Sequence, residues 1–358
     1  MWAMIVKEFR QLRRDRRTLA MMIFLPILML VVFGYAARFD VQRISVDVVG
    51  PQAARVADAL PAPFEVRTTD PAAGRAEAVA ALRDGDVPVA IVTGSSGVTV
   101  LLDGSELFIA RAARASLSTL AERTASGVST SVQVLFNPRL ETAAIMVPGL
   151  AAMILLFVGT VITSLGVVRE RQAGTLEQLA VMPFRPSDVF LGKIAPYFAV
   201  AAVDMIVIVV AGIWLFDVPF RGSVLVLTLG ALLFLFVTLG IGVLISSVSE
   251  NQGQAIQLAL MTLLPQVMLS GLIFPLSSMA TGVRWIGYVL PLTYFIQIAR
   301  GVMLRGASIT ALWAPFLYLA IIGVVVFGLA TLRFRRSLAP AQSRRHRGAE
   351  PALEGVST

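Results

Sequence analysis

The chain contains no cysteine and a single histidine in 358 residues. It therefore builds no disulfide, an absence compatible with either redox compartment. The histidine, His346, stands in the arginine run 344–347, where a solvated side chain is the expected state rather than a ligand. No G-x-x-x-x-G-K-[ST] loop occurs: at Gly192-Lys193, Ser187 occupies the place of the first glycine and Ile194 follows the lysine. ATP phosphates cannot be cradled by that route, so any ATP-driven work done with this chain has its hydrolysis on another polypeptide. Charge is scarce as well, at 15% of residues. No carboxylate cluster, histidine cluster or Ser/Lys pair gathers at one depth, which makes a membrane enzyme a distant reading.

Apolar residues fill the space. They make up 57% of the chain, and mean hydropathy is +0.80. Crossing about 30 Å of hydrocarbon takes about 20 such residues in a helix. Runs of that kind predict six spans, at 18–37, 142–168, 194–216, 223–248, 251–276 and 306–332. A further run, 285–299, is too short to cross and contains Pro291, so 277–305 reads as re-entrant or interfacial helices.

Basic residues orient these spans. Lys7, Arg10, Arg13, Arg14, Arg16 and Arg17 precede the first; Arg169, Arg171, Arg185 and Lys193 lie between the second and third; Arg333, Arg335, Arg336, Arg344, Arg345 and Arg347 follow the last. Six spans put all three groups on one side, the cytoplasmic side by the positive-inside rule. Residues 38–141 then lie outside, with 10 basic and 12 acidic residues. The net charge of +8 comes from the cytoplasmic face and reads as attraction to lipid headgroups, not nucleic acid. Residues 333–358 read as a basic cytoplasmic tail, which after Arg336 is polar and Pro-containing and reads as disordered.

The outer segment alone has soluble composition. Strands are expected at 44–49, 64–68, 87–93 and 98–102, helices at 52–60 and 72–83, and a long helix from Glu106 to about Phe136. This is one small α/β core without catalytic or metal-ligand spacing. Residues 1–17 place Ile5, Phe9 and Leu12 opposite a basic face, an amphipathic helix on the membrane surface leading into a retained anchor rather than a cleaved signal. Within the spans, Asp204 is costly in hydrocarbon and reads first as a hydrogen-bonded link between helices, second as a proton carrier. Gln254 and Gln257 share a helix face and suit a polar seam between helices or subunits. Gly240 and Gly242 permit close helix packing.

The island 169–193 organises the rest. Gly174 breaks one helix, Thr175 can cap the next, and Glu177 falls in its first turn, at the positive end of the helix dipole. Leu176, Leu179 and Ala180 form one apolar face; Met182-Pro183 stops the helix, and Pro186-Ser187-Asp188 starts the next. The run GTLEQLAVMPFRPSDVFLGKIAPY resembles the loop between the second and third spans of ABC-2 type exporter permeases. KEFRQLRRDRRTL resembles their connecting helix, and NPRL, VPGL, SGLIFPLSSM, PLTY and ARG follow in the order of that family.

The resemblance implies an α-helical polytopic membrane protein of six spans, with an α/β extracytoplasmic domain inserted between the first and second. It implies a multi-pass permease of a bacterial inner membrane, both termini cytoplasmic, working as a homo- or heterodimer with a cytoplasmic ABC ATPase. ATP and magnesium would sit on that partner, with no cofactor on this chain. Glu170, Gly174, Thr175, Leu176, Glu177 and Leu179 would couple to the ATPase; Lys7, Glu8, Arg14 and Asp15 belong to the connecting helix. Gly271, Phe274, Pro275 and Pro291 mark the outer re-entrant region. A periplasmic adaptor protein and amphipathic or drug substrates are further implications. A non-transporting receptor or assembly platform of the same fold remains the alternative, and a neighbouring gene for an ATPase discriminates the two.

Overall fold

A computed structural model describes residues 27, 41, 43–94, 97–123, 129–173 and 186–338. The connecting helix, the first span apart from Ile27, island residues 174–185 and the tail beyond Leu338 lie outside the described residues.

Five short strands form a mixed sheet: β1 Ile44–Val49, β2 Phe64–Asp70, β3 Val89–Thr93, β4 Gly97–Asp103 and β5 Ser129–Leu135, in the order β2-β1-β3-β4-β5. Helices α1 Ala53–Ala59, α2 Arg75–Asp84 and α3 Leu107–Arg123 connect them. β1 runs parallel to β2 and β3, β4 runs parallel to β5, and only β3 and β4 are antiparallel. Alternation then sorts the side chains. Ile44, Val46, Val48, Val89 and Ile91 point to one face, covered by α1 and α3, while Ala90 and Leu101 point to the other and pack on Ala78 and Leu82 of α2. The first of these cores continues without a break into the helices below.

One expectation fails. Of the long helix foreseen from Glu106 to about Phe136, Leu107–Arg123 is helical, whereas Ser129–Leu135 towards its foreseen end is strand β5. Val132 and Val134 alternate there with polar residues, and the open edge of β4 supplies a full parallel ladder from Gly97/Ser129 to Asp103/Leu135.

Residues Thr142–Gln172 form one long helical element. It consists of α4 Thr142–Phe157, a π turn Val158–Ile162 and α5 Thr163–Gln172. At 1.5 Å per residue it is about 46 Å long, so it projects beyond the hydrocarbon. After the island come α6 Pro186–Phe216, α7 Val224–Val248, α8 Gln252–Leu269, α9 Thr281–Val289, α10 Pro291–Arg300 with a π turn Gly301–Arg305, and α11 Trp313–Leu338. Among the described residues four helices are long and apolar enough to cross a membrane: 142–172, 198–216, 224–248 and 313–333. The pair α9 and α10 with its π turn, bent by 80°, is a broken span or re-entrant loop. The run expected to span at 251–276 is helical only to Leu269, and four glutamines dilute its apolar character. Likewise the run expected from Gly306 becomes α-helix only at Trp313.

α7 is the hub, packing on α11, α10, α5 and the π turn of the long element. Gly242 explains one of these approaches: a Cβ there would lie 2.7 Å from the Gly159 carbonyl oxygen and 3.0 Å from that of Thr160. Phe234 of α7 stacks on Phe295 of α10 with ring centroids 4.6 Å apart, both rings buried.

Candidate functional site

Two ends of the helical bundle carry polar structure. At the island end, α5 finishes with Arg169-Glu170-Arg171-Gln172, and two hydrogen bonds tie it to the turn between α7 and α8. Arg171 donates to the Ser249 carbonyl at 3.1 Å, and Gln252 Nε2 donates to Gln172 Oε1 at 3.0 Å. Glu170 sits half-buried in this last turn. Of the residues expected to couple, it alone is described; Gly174, Thr175, Leu176, Glu177 and Leu179 lie outside the described residues, as do Lys7, Glu8, Arg14 and Asp15.

Gln254 belongs to the same turn. Its Oε1 accepts from the Glu250 amide at 3.0 Å, and its own amide donates to Asn251 Oδ1 at 2.9 Å, an N-cap for α8. Its side chain thus closes the turn. Gln257 and Gln266 hold buried carbonyl oxygens with no hydrogen bond among the described residues, as do the Thr160 and Thr163 hydroxyls beside the π turn. Asp204 is half-buried on α6 and makes no hydrogen bond or ion pair with any described residue, so the expected helix link is not found there. Its neighbours Val203, Ile206, Val207, Val210 and Trp214 are exposed, Trp214 to 85%.

At the other end, the sheet meets the bundle through charge. Asp103 closes β4 and is wholly buried. Its Oδ1 accepts from the Ser105 amide at 2.8 Å and its Oδ2 from the Arg305 guanidinium at 3.5 Å. Arg305 ends the π turn after α10, and its guanidinium lies against Gly85, whose φ of +82° terminates α2. A Cβ at Gly85 would stand 2.7 Å from Arg305 Nη1, so this cap is glycine for its backbone and its space alike. The guanidinium also meets the negative end of the α2 dipole. Arg300, buried in α10, donates to the carbonyls of Gly271 and Leu272, each at 3.3 Å. Gly271, with φ +86°, opens the loop that carries Phe274 and Pro275; Phe274 is buried, Pro275 caps a short 3-10 turn, and Pro291 begins α10.

Burial pushes the Asp103 carboxyl up, with Arg305 as the main opposing charge. Burial also pushes Glu106 up, opposed chiefly by Arg300. Two further contacts seat the sheet: Arg221 lies 5.9 Å from the Phe136 ring centroid, and Asn137 donates to the Gly104 and Glu141 carbonyls while its Oδ1 accepts from the Glu141 amide. Sequence reasoning passed over Asp103, Glu106, Arg300 and Arg305 as site residues. The available signal was Arg300 itself, a cation closing an otherwise apolar stretch, which demands a partner.

Long apolar helices, a bent hairpin and a polar island tied to one of the spans define a multi-pass membrane protein. The chain belongs to the ABC-2 family of transporter proteins, which it matches over residues 16–332. It is 29% identical to a probable multidrug ABC transporter permease of Escherichia coli, YbhS, over 94% of this chain and 97% of that one. It is 32% identical to a second such permease, YbhR, over 57% of this chain and 55% of the other, and 34% identical to the inner membrane transport permease YhhJ over 59% and 57%. It is a transporter permease by family.

Proposed function

We propose that this chain is the membrane-spanning subunit of an ATP-binding-cassette exporter in a bacterial inner membrane, with both termini and the island cytoplasmic and the sheet unit outside. It works as a dimer and is driven by a separate ATPase subunit that carries ATP and magnesium. The substrate is a drug or another amphipathic compound, the reading favoured by the names of its full-length relatives. A periplasmic adaptor is a further partner of the outer unit. The unpartnered face of α6 bearing Asp204 turns to the second permease subunit, which supplies the carboxylate's partner. Support comes from family membership together with chain connectivity: residues 174–185 join α5 to α6 in sequence, and the end of α5 is clamped to the α7–α8 turn.

A subunit that hydrolyses nothing must receive the ATPase cycle as movement, and a short helix joined to two spans transmits it. Glu170 and Glu177 pair with basic groups of the ATPase, Thr175 caps the docking helix after Gly174, and Leu176 and Leu179 fill its groove. An amphipathic helix resting on anionic lipid would carry Lys or Arg on its polar face, where this one carries Glu177 and Gln178. Glu177→Lys should strengthen lipid attachment and break docking. The expected outcome is loss of transport and of transport-coupled ATP hydrolysis with normal insertion. Unimpaired transport in that variant, or a cysteine at Gln178 that never cross-links to an ATPase, would show that the island is not the coupling element.

A further inference from the structure

We infer that Asp103 and Arg305 form an ionic keystone that joins the sheet unit to the bent hairpin α9–α10, with Arg300 anchoring the hairpin to the loop behind α8, so that sheet unit and hairpin move as one body. Arg300 and Arg305 are its positioning residues. They lie within six positions on α10 and its π turn, and they face opposite ways: Arg305 reaches up into the sheet unit, while Arg300 holds the carbonyls of Gly271 and Leu272 in the loop behind α8. The keystone therefore touches three separate pieces, the end of β4, the C-terminus of α2 and the re-entrant loop.

Two features distinguish this arrangement from a surface ion pair. Asp103 and Arg305 are nearly water-free, with side chains 1% and 10% exposed. Breaking one partner of such a pair leaves a buried charge uncompensated, which is far costlier than losing an exposed bridge. The surrounding backbone is also shaped to the cluster. Gly85 leaves room for the guanidinium, the Ser105 amide fixes the carboxylate, and a Cβ at Gly104 would come within 2.7 Å of the Leu135 and Asn137 carbonyl oxygens. Asn137 pins the start of α4 to the same corner, and Arg221 reaches it from the α6–α7 loop.

The consequence rests on the transporter reading above. Opening a pathway on the sheet side requires the hairpin to shift, and a rigid keystone carries the sheet unit with it. Whatever binds the sheet unit then senses, or biases, the state of the hairpin.

The test uses the absence of native cysteine. Ser105 is wholly buried at the keystone, so Ser105→Cys in the full chain, in membranes, reports separation of unit and hairpin by maleimide labelling. Labelling should be slow with the wild-type keystone, both at rest and during ATP turnover with the ATPase present. Arg305→Met should raise the rate by about 30-fold or more, the ratio for a loss of about 2 kcal/mol. Asp103→Asn should do the same, and the double variant should fall well below the product of the two effects, because no unpaired charge remains. Additive effects, unchanged labelling in the single variants, or labelling that appears only during turnover would each overturn the proposal. Where Arg305→Met does not accumulate in membranes, Asp103→Asn alone decides: a labelling rate raised about 30-fold supports the proposal and an unchanged rate overturns it. The resting measurement needs neither substrate nor ATPase, so failure of the transporter reading would leave the labelling result standing.

Discussion

Asp103 sits beside a guanidinium, yet burial outweighs that pairing and raises its carboxyl above the ordinary carboxylate value, and Glu106 is raised for the same reason. Ordinary values are about 3.9 for Asp and about 4.3 for Glu. For acids raised in the fold, the native state holds protons that the unfolded chain has released. The stability they contribute is complete below the ordinary range and is lost as pH rises through the raised values. The groups facing them are Arg300, Arg305 and each other. Thermal unfolding in detergent of the wild type and of Asp103→Asn/Glu106→Gln, from about pH 4 to about pH 8, should show the wild type's relative stability greatest at the acid end. A difference that grows toward alkaline pH would mean that the guanidiniums hold both carboxyls below their ordinary values.

At the scale of elements, periodicity located strands β1 to β4 and the helices between them, because each is a short run of β-branched residues between turn residues. It did not separate α3 from β5: the helical spacing of Leu107–Arg123 runs on through small residues, and only the β4 ladder decides for a strand. Span lengths were overestimated where composition and hydrogen bonding diverge. The run from 251 stays apolar past Leu269, but the chain turns at Ser270 and Gly271, where Arg300 captures the carbonyls. The keystone was illegible for a simpler reason, since Asp103 and Arg305 are separated by 202 positions and no local period joins them. Gly242 was read as a packing residue, and the structure says against what: backbone carbonyls, which cannot swing aside. Gly242→Ala should therefore cost about 1–3 kcal/mol despite the better helix propensity of alanine. Gly328→Ala, on α11 with nothing within 4 Å of the added Cβ, is the matched control. It should be neutral or stabilising by up to about 1 kcal/mol. Equal thermal midpoints for the two variants would show that the α7 crossing has room to spare.

The whole molecule has two polar ends separated by apolar helices. The sheet unit, the α6–α7 loop and the hairpin meet at one, through Arg221, Arg300 and Arg305. The end of α5 and the α7–α8 turn meet at the other, through Arg171 and Gln252. The expected orientation, with the island end cytoplasmic, rests on charge rather than on packing. The basic residues before the first span, in the island and after the last fall on one side if six spans are crossed, while the sheet segment is nearly balanced. Thr68 in β2 and Ala173 just after α5 are both exposed and lie at opposite ends. With no native cysteine to remove, Thr68→Cys and Ala173→Cys can each carry a lone thiol. In intact cells whose outer membrane is permeable to the reagent, an impermeant maleimide should label Cys at 68 and leave Cys at 173 unlabelled until the inner membrane is opened. The reverse pattern would invert the molecule, and labelling of both without permeabilisation would place the two sites on one side, separated by an even number of crossings rather than by the single span 142–168 that the charge count requires.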